Sequence, residues 1–152
     1  MYKHLLVPTD GSELSHAGVL EAAQLAANIG ARVSLLYVQP APPKLPRGEA
    51  VMVDIYKQDF LRKTAAEANV ILSEARAAVE DAGVECDVCT AISDEPWQDI
   101  IATARHESCD LIAMASHGRS GIAGLLYGSQ AQKVLTHCAT PVLVLRPQAA
   151  IH

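Results

Sequence analysis

The residues with the clearest chemical potential lie late in the chain, where Ala115-Ser116-His117-Gly118 is followed after nine residues by Gly128-Ser129. Asp110 to Ala115 is a short apolar run of buried-strand length, and the residues from Gly128 to Thr140-Pro141 show helical periodicity. Glycines therefore punctuate a crossing from strand to helix. The first N–H groups of a helix lack intrahelical partners, and the helix dipole favours negative charge there. Such a crossing can hold an anion, a phosphate above all, without any catalytic side chain.

Within this loop Arg119 is placed to neutralise a phosphate, although a loop arginine is also commonly just solvated. His117 beside Ser116 suggests a base next to a nucleophile. Neighbours in sequence point apart, however, and no carboxylate is placed to orient the imidazole, so a turn-forming role is read for His117. Gly121 and Gly124 make the segment either a lid over phosphates or an irregular surface loop.

The elements that must position these residues alternate strand and helix from end to end, the pattern of a parallel sheet with helices on both faces. The first strand, about Lys3 to Pro8, turns at Thr9-Asp10-Gly11-Ser12 into a helix with Leu14, Gly18, Ala22, Leu25 and Ile29 as inward positions, stopped by Gly30. A second strand, Arg32 to Val38, enters a loop from Gln39 to Ala50 whose four prolines forbid regular structure. Leu61, Ala65, Ala68, Leu72, Ala75 and Val79 then form one helical stripe, closed by Gly83. Val84 to Ala91 reads as a third strand. Asp94-Glu95-Pro96 opens a short helix with Trp97, Ile100, Ile101 and Ala104 on its buried face, Trp97 as a core anchor rather than a binding platform. The last helix has Ala131, Val134, Leu135 and Cys138 at core spacing, and Pro141-Val142-Leu143-Val144-Leu145 completes the sheet.

The fold class read from this alternation is α/β, an open doubly wound five-stranded parallel sheet, and 3-2-1-4-5 is taken as its strand order. Ligands of such sheets collect beyond the carboxyl ends of the strands, where strand order reverses. The reversal lies between the first and fourth strands, so Pro8-Thr9-Asp10 is expected to face Met114-Ala115-Ser116 across one crevice. Val38 would join Pro8 and Met114 in an apolar wall suited to a flat heterocycle, and Asp10 would take a ribose hydroxyl or a metal.

Composition narrows the function classes. At 152 residues, half of them hydrophobic and 19% charged, the chain suits one compact domain. No secretory leader or membrane-length apolar run is legible, so a cytoplasmic protein without membrane contact is expected. A net charge of −5 without a basic stripe argues against nucleic-acid binding. Cys86 and Cys89 sit three apart on a strand and so face opposite sides of the sheet, which denies them one metal or one disulfide. Cys109 and Cys138 have no recognised zinc spacing with His106 or His137.

With Leu6-Val7-Pro8-Thr9-Asp10-Gly11-Ser12, the Ser116-His117-Gly118-Arg119 turn, Gly128-Ser129 and Pro141-Val142-Leu143-Val144 in order, the chain resembles a single-domain universal stress protein over nearly all its length. The resemblance implies a Rossmann-like, adenine nucleotide alpha hydrolase-like domain over residues 1–147 with a short tail at 148–152. It further implies ATP, AMP or ADP as ligand, a magnesium ion near Asp10, and a stress-response role. The nucleotide-binding branch holds ATP with Gly, two residues, Gly, nine residues, Gly, then Ser or Thr. Here Gly118, Gly128 and Ser129 keep that spacing, Ala115 replaces the first glycine, and Ala131, after Gln130, stands where the family often has a further hydroxyl. A methyl at position 115 is harmless at negative φ and obstructs at positive φ or where a phosphate must approach closely. The missing hydroxyl at 131 removes a hydrogen bond worth about 1 kcal/mol.

The last strand is apolar on both faces and lies at a sheet edge, and such edges pair with something. The resemblance implies an antiparallel homodimer there, and self-pairing is isologous and closes off further growth. Val142, Leu143, Val144 and Leu145 are the expected interface. No Gly-x-x-x-x-Gly-Lys-Ser/Thr segment is present, and no catalytic residues for fast phosphoryl transfer can be named. Two other readings stay open: a dimeric interaction module that no longer holds nucleotide and acts through unknown protein partners, and a slow metal-dependent ATPase.

Overall fold

The computed structural model describes residues 1–116 and 129–147. Five strands, β1 (His4–Pro8), β2 (Arg32–Gln39), β3 (Cys86–Ile92), β4 (Leu111–Ala115) and β5 (Val142–Leu145), alternate with helices α1 (Glu13–Ile29), α2 (Ala50–Asp81), α3 (Pro96–His106) and α4 (Ser129–His137). The strands form one sheet in the order β3-β2-β1-β4-β5, and every pairing is parallel. This is the doubly wound topology expected from the alternation of elements, with the order reversing between β1 and β4.

Two cores sandwich the sheet. Leu5, Val7, Val33, Leu35, Leu111 and Ala113 face α1 and α2, where Val19, Ala22, Ala26, Leu72 and Val79 cover them. Leu6, Leu36, Ile112 and Met114 face α3 and α4 and meet Ile100, Ala104, Ala131 and Val134. Strands buried on both faces need near-continuous apolar runs, which is why Leu5-Leu6-Val7 and Leu35-Leu36 show no polar alternation.

The helices start and stop on local signals. Ser12 caps α1 by accepting the Ser15 N–H at 3.1 Å, and Gly30 ends it in the left-handed conformation at φ 71°. Pro96 opens α3 at a position where its missing N–H costs nothing. The rotational phase of the helices differs from the sequence expectation in three places. On α1 the buried face holds Ser15, Val19, Ala22 and Ala26, while Leu14, Leu25 and Ile29 lie half-buried at its margin. On α2 Ala65 is exposed and Thr64 is buried in its stead, because the Thr64 hydroxyl is satisfied by the Phe60 and Leu61 carbonyls at 3.1 and 3.2 Å. On α4 Leu135 is exposed, and Ala131 and Val134 carry the packing. Strand β3 begins at Cys86 rather than Val84, although Val84 is itself buried.

His4 opens β1 inside the α3-facing layer. It is buried, its Nε2 lies 2.7 Å from the Ser34 hydroxyl, and its Nδ1 has no hydrogen-bond partner among the described residues. Burial, reinforced by the Arg32 guanidinium, holds its pKa below the ordinary 6.5 against the opposing pull of Asp110, Asp87 and Glu107. The folded chain therefore keeps His4 neutral while the unfolded chain takes up a proton at the ordinary value. Stability must fall as pH drops below that value, because the unfolded state then binds more protons. Urea unfolding midpoints are expected to drop between about pH 7.5 and about pH 5 and to drop less in His4→Asn. An identical drop in the variant would remove His4 as the cause.

Candidate functional site

The carboxyl ends of β1 and β4 open a crevice. Pairing of β1 with β2 runs through Pro8↔Leu36, whereas pairing of β1 with β4 stops at Leu6↔Ile112. Pro8, which has no N–H to donate, stands where the two strands part. Beyond it the Thr9 N–H still bonds the Leu36 carbonyl at 2.9 Å, so the chain stays with β2 and leaves the β4 side open.

The β1–α1 turn is held by an interlocked set of short bonds. Gly11 takes φ 80°, a conformation that a side chain would strain. The Asp10 carboxylate accepts the Ser12 N–H at 2.9 Å. Ser15, on the first turn of α1, accepts the Asp10 N–H at 3.1 Å and donates its hydroxyl proton to Thr9 Oγ1 at 3.0 Å. Thr9 and Ser15 are both buried. Sequence reading named Thr9 and Asp10 but missed Ser15, whose signal was its place three residues after the capping Ser12.

Across the crevice, Met114 and Ser116 are buried and Ala115 half-buried, and the Ser116 N–H extends the ladder to the Leu145 carbonyl at 2.8 Å. Strand alternation puts Pro8, Val38 and Met114 on the α3/α4 face of the sheet, where Met114 and Val38 belong to one apolar cluster. Ala91, paired with Val38, joins the same cluster and extends that wall. It escaped sequence reading because only the β2–β3 register brings it there. Ala115 points the other way, toward α1: a Cβ built on Gly18 would lie 3.2 Å from the Ala115 Cβ. Among the described non-glycine residues only Ser108 has positive φ, so Ala115 does not occupy a backbone conformation that demands glycine.

At the start of α4, Ser129 is exposed, Gln130 is half-buried, and the Ala131 side chain sits in the core, so what position 131 offers a ligand is its backbone N–H. Gln130 Oε1 accepts the Trp97 backbone N–H at 2.9 Å, which caps α3 from the neighbouring helix. Lys133 approaches Glu95 at 3.6 Å, Glu95 accepts the Trp97 indole N–H at 2.8 Å, and the Trp97 ring lies 4.7 Å from the His137 ring. The amino end of α3 is thus held along the length of α4, from Gln130 in its first turn to His137 at its last residue, and Trp97 is a half-buried clasp between the two helices as well as a core residue. His117, Gly118, Arg119 and Gly128, the remaining candidates, and Gly121 and Gly124 lie outside the described residues.

The cysteines divide as strand geometry dictates: Cys86 joins the α1/α2 core and Cys89 packs against the opposite one. Burial pushes the Cys86 thiol up to about 11 and the Cys109 thiol up to about 12, and also raises Cys89, so these groups stay protonated near neutrality. Among the described residues no group of three or more His, Cys, Asp or Glu side chains could hold a metal ion, and no helix is long and apolar enough to cross a membrane. Among the described residues strand β5 pairs with β4 alone. Leu143 is exposed there, and Val142, Val144 and Leu145 are half-buried.

Comparison with known proteins converges on one family. The chain is similar to Universal stress protein Rv1636 of Mycobacterium tuberculosis, with 33% identity over 146 residues covering 95% of this chain and 96% of that protein. It is similar also to Universal stress protein MJ0531 of Methanocaldococcus jannaschii, with 29% identity over 149 residues covering 96% of this chain and 83% of the relative. The solved structure of MJ0577, from the same archaeon, superposes with a TM-score of 0.83 at 26% identity and 99% coverage of both chains. A universal stress protein solved in complex with cAMP superposes with a TM-score of 0.66 at 26% identity, covering 97% of this chain and 98% of that one. The model of the Universal stress protein family matches residues 1–146, and the chain belongs to that family.

Proposed function

We propose that the chain binds an adenine nucleotide, ATP or its AMP and ADP relatives, in the crevice between β1 and β4, and that it works as a cytoplasmic homodimeric regulator of a stress response. The observation that carries the reading is the parting of β1 from β4 beyond Leu6, with an apolar wall of Val38, Ala91 and Met114 on one side and the Thr9–Asp10 turn on the other. The wall suits the adenine ring, Asp10 the ribose or a magnesium ion, and the first N–H groups of α4 the phosphates. Gly118, Arg119 and Ser129, spaced as in the nucleotide-binding branch of the family, would complete the phosphate cradle. The related universal stress protein bound to cAMP supports an adenine nucleotide as the ligand class.

Calorimetric titration of nucleotide-stripped protein with ATP and magnesium tests the reading, with Gly118→Val as site control. We expect a micromolar dissociation constant that the variant weakens by at least about tenfold, a change of about 1.4 kcal/mol. Absence of binding heat from folded protein at two temperatures would remove the nucleotide and leave the dimer as the functional unit.

A further inference from the structure

We infer that Gly18 is the positioning residue for the entrance of the nucleotide loop, and that helix α1 carries glycine there to seat the Ala115 methyl on the far side of the sheet from the ligand wall. The inference rests on the nucleotide reading above and concerns how that site is held.

Glycine inside a helix is a poor helix former, so its place in the middle of α1 calls for a packing reason. Gly30 and Gly83 have the ordinary one, a positive φ, and a Cβ on either would meet nothing within 4 Å. Gly18 is different. Its φ is not in the left-handed range, and an added Cβ would stand 3.2 Å from the Ala115 Cβ and 3.8 Å from its Cα and N. Carbon atoms in favourable contact lie about 3.5 to 4.0 Å apart, so one of the two elements would have to move. Strand alternation gives the same orientation independently. Leu111 and Ala113 face the α1/α2 core and Ile112 and Met114 the α3/α4 core, so Ala115 faces α1.

The contact is well placed to matter. Ala115 pairs with Leu145 as the last residue of β4, and Ser116, which follows it, extends the ladder with a bond of 2.8 Å to the Leu145 carbonyl. Helix α1 thus fixes both lips of the crevice, one through Ser15 on Thr9 and one, a turn further along, through Gly18 on Ala115. The alanine at the first glycine of the family's motif costs no ligand space, because the space it needs was made in α1.

A two-by-two cycle of Gly18→Ala and Ala115→Gly tests this, each variant measured for ATP affinity by calorimetry and for melting temperature. Gly18→Ala alone is expected to weaken ATP binding about tenfold, through displacement of the β4 end. Ala115→Gly alone should stay within about twofold of the parent, and the double variant should recover to within about threefold, with melting shifts that are not additive. If Ala115→Gly binds about tenfold more tightly, or binds where the parent does not, the methyl lies in the ligand's path and the inference is overturned. Unchanged affinity in Gly18→Ala overturns it as well. If no member of the cycle binds ATP, the nucleotide reading has failed and the melting temperatures decide for the pair: coupled shifts keep Gly18 as the residue that seats β4, and additive shifts overturn that too.

Discussion

The parent chain is expected to sediment as a dimer, and Leu143→Lys as a folded monomer at the same concentrations. Leu143 is exposed on β5, the edge strand that pairs on one side with β4 and on the other with nothing described, so the substitution should change the stability of the isolated fold by no more than about 0.5 kcal/mol. A two-fold dimer through β5 would contain every change twice. Removing two buried leucines at about 1.5 to 3 kcal/mol each costs the dimer about 3 kcal/mol or more, and two lysines facing each other add to that cost. The dissociation constant should therefore rise by about a hundredfold or more. Sedimentation equilibrium reads this directly. A parent chain that is monomeric throughout, or a variant that dimerises unchanged, would remove β5 as the interface.

Asp110→Ala should lower the melting temperature by about 10 °C. The carboxylate just ahead of β4 accepts the His4 N–H at 3.0 Å and the Lys3 N–H at 2.9 and 3.1 Å, while the Asp110 N–H returns a 2.9 Å bond to the His4 carbonyl. One side chain thus holds the start of β1 in register with β4. Hydrogen bonds to a charged group contribute about 1.5 to 3 kcal/mol each, and the Lys3 N–H is exposed enough to turn to water, so a total near 3 kcal/mol is expected. For a chain of this size each kcal/mol moves the midpoint by about 2 to 4 °C. Asp110→Asn keeps an acceptor and should lose about half as much.

The same residue predicts an acid limb. Burial alone would raise the Asp110 carboxyl, and the N–H bonds from His4 and Lys3 more than reverse this, leaving it below the ordinary 3.8. A carboxyl lowered on folding adds stability above its ordinary value and loses it as pH falls from there through the folded value. Asp110→Asn should flatten that part of the curve, whereas His4→Asn acts higher, below the ordinary imidazole value. Calorimetric melting across the acid range separates the two. An unaltered acid limb in Asp110→Asn would show that other carboxyls carry it.

The amino-acid sequence by itself determined the alternation of strands and helices, because apolar runs, capping residues and glycine stops are local signals that the chain carries wherever it lies, and the sheet order followed only once a doubly wound topology was taken for that alternation. It also separated Cys86 from Cys89, since strand parity fixes the face once the strands are known. Only the tertiary structure decided the rest. Helical periodicity fixes spacing but leaves the rotational phase open by about one residue when neighbours are small, so Ser15 and Thr64 took the buried places expected of Leu14 and Ala65. Three further contacts depend on which elements lie side by side: Asp110 on the amides of Lys3 and His4, Gln130 on the N–H of Trp97, and Gly18 beneath Ala115. No pattern along the chain encodes such pairs, because the physical term that selects them is packing between segments distant in sequence. That the methyl at position 115 meets Gly18 was therefore a contact that only the packed helix α1 could supply.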